Sequence, residues 1–580
     1  MCGIIAYCGE KNATPILING LKQLEYRGYD SAGLAILHDN TINIHKAVGR
    51  VEQLSNTTLQ GSAGIAHTRW ATHGKPSQEN AHPFVDGTKS FALVHNGIIE
   101  NYLELKEELR AEGVLFSSQT DSEVIVHLIA KNYTGSLVET VRSILKKLQG
   151  TYAFCVMHKD KQEVVAARNG SPLIVGIGEN ENYLASDASA LLNHTKKVIY
   201  VEDFDIVHIT KKKVMIFNEK GEVVTREIKE IEWDIEQAQK QGFRHFMLKE
   251  IHEQPKIAQE SLRVQIPLLE QPQKIIIVAC GTAYYAGLIA KYFIEKVAKI
   301  STIVEVASEF RYKEFLLEKN DLVVVISQSG ETADTLAAAR LAKEHHIKTL
   351  GIINVVNSTI AREVDQVIYT RAGPEIGVAS TKALTSQLIV LYKLAIVLAK
   401  KEKEYIPLLE NLSEYMQKML LSKQAIEKIS QKYYKYAHFL YIGRNRNYPV
   451  ALEGALKLKE ISYIHAEGYP AGELKHGPIA LVSEEIPTLA ICPKDEVYAK
   501  MISNIEEIKA RSGSVIAIAT QGDEKISKIC DDVIFIPEIS EDLNPFICLI
   551  PLQLFAYFIA VMRECDVDKP RNLAKSVTVE

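Results

Sequence analysis

The sequence predicts a multidomain chain of mixed α/β and α+β class: an N-terminal αββα sandwich of antiparallel sheets, then two doubly wound parallel-sheet domains. Three observations carry this expectation. Residues 2–233 alternate short β-rich runs with turn residues and only a few helical patterns. From Lys274 the order becomes strand, helix, strand, helix, opening with the β-branched run Ile275-Ile276-Ile277-Val278, which suits a strand covered on both faces. Further on, Phe439-Leu440-Tyr441-Ile442-Gly443 starts the same order again, a duplication of element order rather than residue identity.

In the first domain, expected over 2–233, strands are read at 3–8, 32–37, 64–67, 91–95, 151–158, 172–177 and 198–210. Helical periodicity covers 14–25, 102–112, 122–131 and 137–148, the last stopped by Gly150. Runs of strands with grouped helices predict stacked sheets with helices outside. Residues 234–272 read as a linker plus opening helices at 234–241 and 245–262, with Pro255 starting a second helical segment and Pro267 and Pro272 closing the stretch. The first parallel-sheet domain, 273–404, carries strands at 275–279, 302–306, 322–326 and 349–354, and helices at 284–299, 309–317, 332–344 and 380–401. The second, 405–565, opens with a helical stretch over 405–434. It continues with strand 439–443, helix 448–464, strands 488–491, 514–519 and 532–536, and helix 544–563. The tail 566–580 has no periodicity.

The 580 residues are 47% hydrophobic and 24% charged with a net charge of −5, which gives no electrostatic reason to expect nucleic acid or an anionic membrane as partner. The eight cysteines form no Cys-x-x-Cys and no zinc spacing, so a reducing, cytoplasmic setting with free thiols is expected. No basic segment precedes the first apolar run, so no signal peptide is read. The most apolar stretch, 383–399, is interrupted by Lys393 and by Thr385-Ser386-Gln387, and reads as a buried helix rather than a membrane span.

Chemistry concentrates first at Met1-Cys2-Gly3-Ile4. With Met1 removed, Cys2 holds a thiol and a free α-amine, a nucleophile and a base in one residue. With Met1 attached, the nitrogen is an amide and the base is lost. Three other stretches hold what attack on an amide needs: His67-Thr68-Arg69-Trp70-Ala71-Thr72-His73-Gly74, Val94-His95-Asn96-Gly97, and Thr120-Asp121. An amino-acid substrate calls for an arginine at its carboxylate and an acid at its ammonium group. A tetrahedral oxyanion calls for a side-chain amide and a backbone N–H, which Asn96-Gly97 offers. Each has a plainer reading: Asn-Gly as a turn, Asp121 as a helix N-cap, Arg69 as a structural ion pair, Cys8 as a core thiol. Together with Glu25-Tyr26-Arg27-Gly28-Tyr29-Asp30-Ser31-Ala32-Gly33, these stretches resemble a glutamine amidotransferase domain of the N-terminal-nucleophile class. The resemblance implies that Cys2 attacks glutamine, Arg69 and Asp121 bind its carboxylate and amine, and Asn96 with Gly97 form the oxyanion hole. Trp70, Thr72 and His73 are then expected near the glutamine.

In the second half, Ile326-Ser327-Gln328-Ser329-Gly330-Glu331-Thr332 follows a buried strand and opens a helix, a neutral cradle for phosphate. It lacks Gly-x-x-x-x-Gly-Lys, and a well-capped helix is the plainer reading. Cys280-Gly281-Thr282 ends the first parallel strand, where ligands of such sheets bind. Glu453, Lys457 and Glu460 share one helix face, which without context is a surface salt-bridge ladder. His476 sits in a loop, and Lys575 by default is a solvated tail lysine. Taken nearly end to end, and with the tail Asp568-Lys569-Pro570-Arg571-Asn572-Leu573-Ala574-Lys575-Ser576, the sequence resembles the glutamine–fructose-6-phosphate aminotransferase family. The second half of that family is two sugar isomerase (SIS) domains of flavodoxin-like fold.

That resemblance implies glutamine and fructose 6-phosphate as substrates and glucosamine 6-phosphate as product, and no motif requires a metal or redox cofactor. Ser327, Gln328, Ser329 and Thr332 are implied to hold the phosphate. Thr282, Ala379, Ser380, Glu453 and Lys457 line the same site. Lys575 forms a Schiff base with the open-chain ketose, and Glu460 moves a proton between C1 and C2. A homodimer is implied, with His476 of the partner subunit opening the sugar ring. Ala283 stands where the family commonly has serine, so no side-chain role is expected there. The compact length makes feedback by a nucleotide sugar less expected. Two rivals remain: an enzyme acting on another ketose phosphate, separated by product analysis, and a sugar-phosphate sensor without catalysis, separated by a glucosamine-phosphate assay.

Overall fold

The computed structural model describes residues 2–71, 73–231, 240–314, 317–578 and divides the chain into two compact units. One comprises Met1–Ala238 with Ala574–Glu580, the other Gln239–Leu573.

The first unit stacks an eight-stranded sheet on a seven-stranded one, and their named strand pairs are antiparallel. Side-chain alternation builds four layers. Ile4, Ala6 and Cys8 of strand Gly3–Cys8 face Ala92, Val94, Cys155 and Ala166 of the other sheet. Ile5 and Tyr7 turn outward against Leu17 and Leu21 of helix Ala13–Leu24. On the opposite outer face, Leu93, Phe154 and Val165 pack against helices Tyr102–Ala111, Glu123–Asn132 and Leu137–Leu145. Cys8 is the core thiol that was expected, and burial pushes its pKa up to about 12.

The sandwich holds more strands than the sequence reading found. Asp39 and Asn40 both take positive φ, 47° and 56°, making a two-residue hairpin between Ser31–His38 and the unpredicted strand Thr41–Val48. Strands Val164–Asn169, Asn182–Ala185 and Val214–Phe217 were also unread, and the expected single run 198–210 is two strands, Lys197–Tyr200 and Ile206–Ile209.

The second unit contains two five-stranded parallel sheets. The first places Lys274–Ala279 between Ser301–Val306 and Leu322–Ser327, then adds Lys348–Ile353 and Gln366–Tyr369. The second repeats that order with His438–Gly443, His465–Pro470, Thr488–Cys492, Val515–Thr520 and Asp532–Ile536. In sequence order both read 2-1-3-4-5, the doubly wound flavodoxin-like arrangement, so the duplication extends to topology. The sequence reading lacked the edge strands Gln366–Tyr369 and His465–Pro470.

Between the sheets, the stretch 405–434 resolves into three helices, Glu402–Glu410, Leu412–Leu421 and Lys423–Tyr433. The helix expected at 309–317 is only Ala307–Phe310, with 315 and 316 outside the described residues. The helix expected at 234–241 lies outside them too, apart from its last two residues.

Pro255 does not start a new helix. It lies inside the continuous helix Phe246–Leu262. Proline cannot supply the N–H that the Ile251 carbonyl would accept. The Gln254 side-chain amide supplies one instead, at 3.1 Å, and is itself held by Thr385 Oγ1 at 2.6 Å and Gln553 Oε1 at 2.7 Å. The same helix is capped from far away: Asp568 accepts the N–H groups of Phe246 and Met247 at 2.9 and 3.0 Å. Among the described residues two helical segments, Lys382–Ala399 and Glu541–Met562, are long and apolar enough to cross a membrane, but their most apolar stretches are 83% and 89% buried inside the fold. The buried-helix reading of 383–399 therefore holds.

Candidate functional sites

The site in the first unit forms where the ends of both sheets converge. Strand Ala63–Arg69 pairs with Gly3–Cys8 so that Thr68 faces Gly3, which brings Arg69 and Trp70 beside Cys2. The Trp70 N–H lies 3.3 Å from Cys2 Sγ. From the other sheet, Asn96 Nδ2 donates to the Cys2 carbonyl at 3.1 Å. Asn96-Gly97 is not a turn; it lies inside strand Phe91–Ile99. Gly97 has φ of +127°, and a Cβ there would meet the Thr151 carbonyl oxygen at 2.1 Å, so only glycine fits. Asp121 is not the N-cap of the following helix, which Ser122 occupies; its Oδ2 accepts the Ile99 N–H at 2.8 Å.

Arg69 is buried, and its guanidinium donates to the His73 and Gly74 carbonyls rather than to a carboxylate. Its Nη1 is buried without a hydrogen-bond partner, which is rare for a buried donor. His73 approaches Asp121, with Nδ1 to Oδ1 at 4.0 Å. Thr72 lies outside the described residues. Burial raises the Cys2 pKa, opposed by the Trp70 N–H and the Arg69 charge.

Several participants were not singled out from sequence. Asp30 Oδ2 accepts the Ala71 N–H at 2.8 Å and holds the loop after Arg69. Asn80 bridges the Lys75 carbonyl and the Gln119 N–H at 3.0 and 2.9 Å. His67, His82 and His95 are buried against one another, and desolvation lowers the pKa of each, that of His67 to about 3. For His67 and His95 only their polarity in an apolar strand hinted at a role, and His82 lies outside any strand.

A depressed folded pKa means the group stabilises the fold above its unfolded pKa, and that stability is lost as pH falls. For His67 the window runs from about 6.5 down to about 3. At pH 5 the expected cost is about 2 kcal/mol from this ring alone. Thermal melts of the full chain at pH 7 and pH 5 should show the first unit losing stability, and His67→Gln should reduce the difference. An unchanged difference would show that His67 charges freely in the fold.

The site in the second unit gathers at the carboxyl ends of the parallel strands. Ser327, the last residue of strand Leu322–Ser327, places its Oγ 3.0 Å from Thr332 Oγ1 and accepts the Gly330 N–H at 2.9 Å. Helix Ala333–Glu344 has no side-chain cap, so the capped-helix reading fails and its first N–H groups face the loop Ser327–Thr332. Glu331 accepts the Thr359 N–H at 2.8 Å, while the one acid in the helix's first turn, Asp334, pairs with Arg311 at 3.3 Å. Gly330 has φ of +65° and stands against Ser358, whose Oγ would lie 1.9 Å from a Cβ.

Glu453, Lys457 and Glu460 are not a surface ladder. Most of helix Asn447–Ser462 is buried, Glu453 and Lys457 are both 0% exposed, and Glu460 is half-buried. Lys457 Nζ lies 3.4 Å from Glu453 Oε1 and 2.5 Å from Glu460 Oε2, and donates to Thr282 Oγ1 at 3.0 Å. Thr282 thus joins the first sheet's strand end to the second domain's helix. Desolvation pushes the Glu453 pKa up to about 7, while the neighbouring carboxylates outweigh burial and raise that of Lys457. Ala379 is buried, and Ser380 Oγ donates to Glu375 at 2.9 Å. Glu375 also accepts the Thr381 and Ala383 N–H groups at 2.9 and 3.0 Å, capping helix Lys382–Ala399, a role no sequence signal announced.

Two expected residues are not gathered here. His476 ends the 3-10 turn Ala471–His476, with its side chain exposed. Lys575 belongs with the first unit and is half-buried.

Comparison with known proteins matches these units. A glutamine amidotransferase domain model matches residues 67–193, and an SIS domain model matches twice, at 268–397 and 432–563. Two curated relatives named glutamine–fructose-6-phosphate aminotransferase [isomerizing] align over 100% of both chains. The one from Aquifex aeolicus is 51% identical, and the one from Thermus thermophilus 48%. Among solved structures, the C-terminal domain of glucosamine-fructose-6-phosphate aminotransferase from Francisella tularensis is 40% identical, covers 57% of this chain and 99% of its own, and superposes with a TM-score of 0.55.

Proposed function

The chain belongs to the glutamine–fructose-6-phosphate aminotransferase (isomerizing) family, and we propose a division of labour among its own residues for making glucosamine 6-phosphate and glutamate from fructose 6-phosphate and glutamine. The Cys2 thiolate attacks the glutamine amide carbon. The oxyanion is held by Asn96 Nδ2 and the Gly97 N–H. The α-amine of Cys2, freed once Met1 is removed, takes the thiol proton and returns it to the leaving nitrogen. Ammonia departs, and water cleaves the thioester to glutamate. Arg69 Nη1 takes the substrate carboxylate, Asp121 its ammonium group, and Trp70, Thr72 and His73 close around it.

In the second unit, Ser327, Gln328, Ser329 and Thr332 bind the sugar phosphate. Lys575 condenses with the ketose carbonyl, releasing water, and ammonia from Cys2, carried inside the protein, displaces it as the C2 imine. Glu460 removes a proton from C1 and returns it to C2, which yields the amino aldose. Thr282, Ala379, Ser380, Glu453 and Lys457 line this pocket. His476 of the partner subunit opens the sugar ring in a homodimer, and the exposure of this residue here supports that reading. The eight free thiols suit a cytoplasmic setting.

The observation that carries the reading is the pairing in one chain of the Cys2–Trp70–Asn96 constellation with a buried Glu453–Lys457 pair that is tied to Thr282 and reaches the half-buried Glu460. The test is a coupled assay with glutamine and fructose 6-phosphate. Glutamate and glucosamine 6-phosphate should form in equal amounts. Glutamate without amino sugar, or amino sugar from another ketose phosphate only, would reject it.

A further inference from the structure

Against Asn96 lies a buried ring that the proposed chemistry does not use, His67. Its Nε2 is 3.0 Å from the His95 carbonyl oxygen and 3.0 Å from Asn96 Oδ1. A carbonyl oxygen only accepts, so Nε2 carries the proton. Asn96 Oδ1 is then the acceptor, and the amide's Nδ2 points the other way, to the Cys2 carbonyl at 3.1 Å. The opposite ring nitrogen, Nδ1, is buried with no hydrogen-bond partner, so a second proton there would be an unpaired buried charge.

The ring plane is fixed as well. His82 stacks on it at 3.9 Å and 18°, and His82 Nδ1 accepts the N–H of His95, the residue whose carbonyl holds His67. Orientation matters because the two ends of an amide are nearly the same size. Turned over, Asn96 would aim an oxygen at a developing oxyanion.

We infer that His67 is a positioning residue for amide cleavage: by donating Nε2–H to Asn96 Oδ1 it locks the Asn96 amide with Nδ2 toward the oxyanion formed at Cys2. The inference rests on the glutaminase reading of the first unit. Desolvation keeps the ring neutral at any working pH, with a pKa near about 3, so the donor pattern is constant.

The experiment is steady-state glutamine hydrolysis by the full chain, comparing His67→Gln with His67→Asn. The glutamine side chain can place an N–H where Nε2 stands; asparagine is too short to reach Asn96. His67→Asn should lose about 100-fold in kcat, the scale of a lost oxyanion donor, with KM for glutamine within about threefold. His67→Gln should regain activity to within about tenfold of wild type. An aldehyde analogue of glutamine, which forms a thiohemiacetal on Cys2, should bind His67→Asn more weakly by the same factor as kcat falls. Alkylation of Cys2 by iodoacetamide should proceed at the wild-type rate in both variants, showing an intact site.

Equal kcat values for the two variants, or a loss carried by KM with unchanged aldehyde affinity, would overturn the role of His67. Asn96→Ala, run in parallel, separates this from the underlying reading. If Asn96→Ala keeps wild-type kcat, the oxyanion assignment itself falls. If Asn96→Ala is impaired while His67→Asn is not, only the positioning role is lost.

Discussion

Cys2→Ala abolishes glutamine-dependent amination, by about four orders of magnitude or more, while fructose 6-phosphate isomerisation persists. The size follows from removing the nucleophile outright, since Cys155, a core thiol of the same sandwich, is wholly buried and its pKa is pushed far up by desolvation. It cannot substitute. Persistence of isomerisation follows because the groups proposed for it, Lys575 and Glu460 with the Glu453–Lys457 pair, make no use of the Cys2 thiol. Two assays on one preparation decide the matter: glutamate release, and interconversion of fructose 6-phosphate and its aldose. Loss of both activities together would mean that the two sites are not separable. Intact mass of the working protein should also show Cys2 first; an active glutaminase that keeps Met1 would overturn the base assigned here.

Lys457→Met has the largest expected effect on stability. It strands Glu453, 0% exposed, beside Glu460 with no cation between them. Removing one partner of a buried pair costs about 3–5 kcal/mol, because the carboxyl left behind must either stay charged and desolvated or take up a proton, as its raised pKa already favours. Denaturant unfolding should show this loss, and sugar-dependent activity should disappear while glutamine hydrolysis by the first unit continues. Adding Glu453→Gln should restore part of the stability, since the residual burden is an unpaired carboxylate. A single variant within about 1 kcal/mol of wild type would show that water reaches the Glu453–Lys457 pair and screens it.

The legibility of the fold followed burial. Strand Lys274–Ala279 was readable because a parallel strand covered on both faces is a continuous β-branched run. The edge strand of the other sheet, His465–Pro470, reads His-Ala-Glu-Gly-Tyr-Pro and looks like a loop, because an edge strand needs little apolar cover. The hairpin at Asp39-Asn40 was hidden because neither residue is glycine, yet both sit at positive φ. Pro255 misled because the helix hydrogen bond it deletes is replaced by Gln254, a side chain whose partners come from residues 131 and 299 positions away.

The same limit governs the sites. Cys2, Arg69, Asn96 and Asp121 were readable as residue types suited to one chemistry, and the fold gathers them. What sequence could not supply was which neighbour orients which group: His67 under Asn96, Asp30 under Ala71, Glu375 under Ser380. The Glu453–Lys457–Glu460 spacing was visible, but its burial was not, because helix Asn447–Ser462 presents charge to the interior instead of to water. Spacing gives a face; only packing says what that face meets.

Helix Asn544–Met562 is made on the ribosome after every strand of both parallel sheets. Until it emerges, helices Asn447–Ser462, Lys423–Tyr433 and Leu412–Leu421 lack the apolar partner that fills the core between them. The sandwich of the first unit draws its strands from residues before 231 and can close much earlier. During translation the nascent chain therefore carries a finished amidotransferase fold beside a half-built isomerase with open hydrophobic surface, the state that holding chaperones recognise.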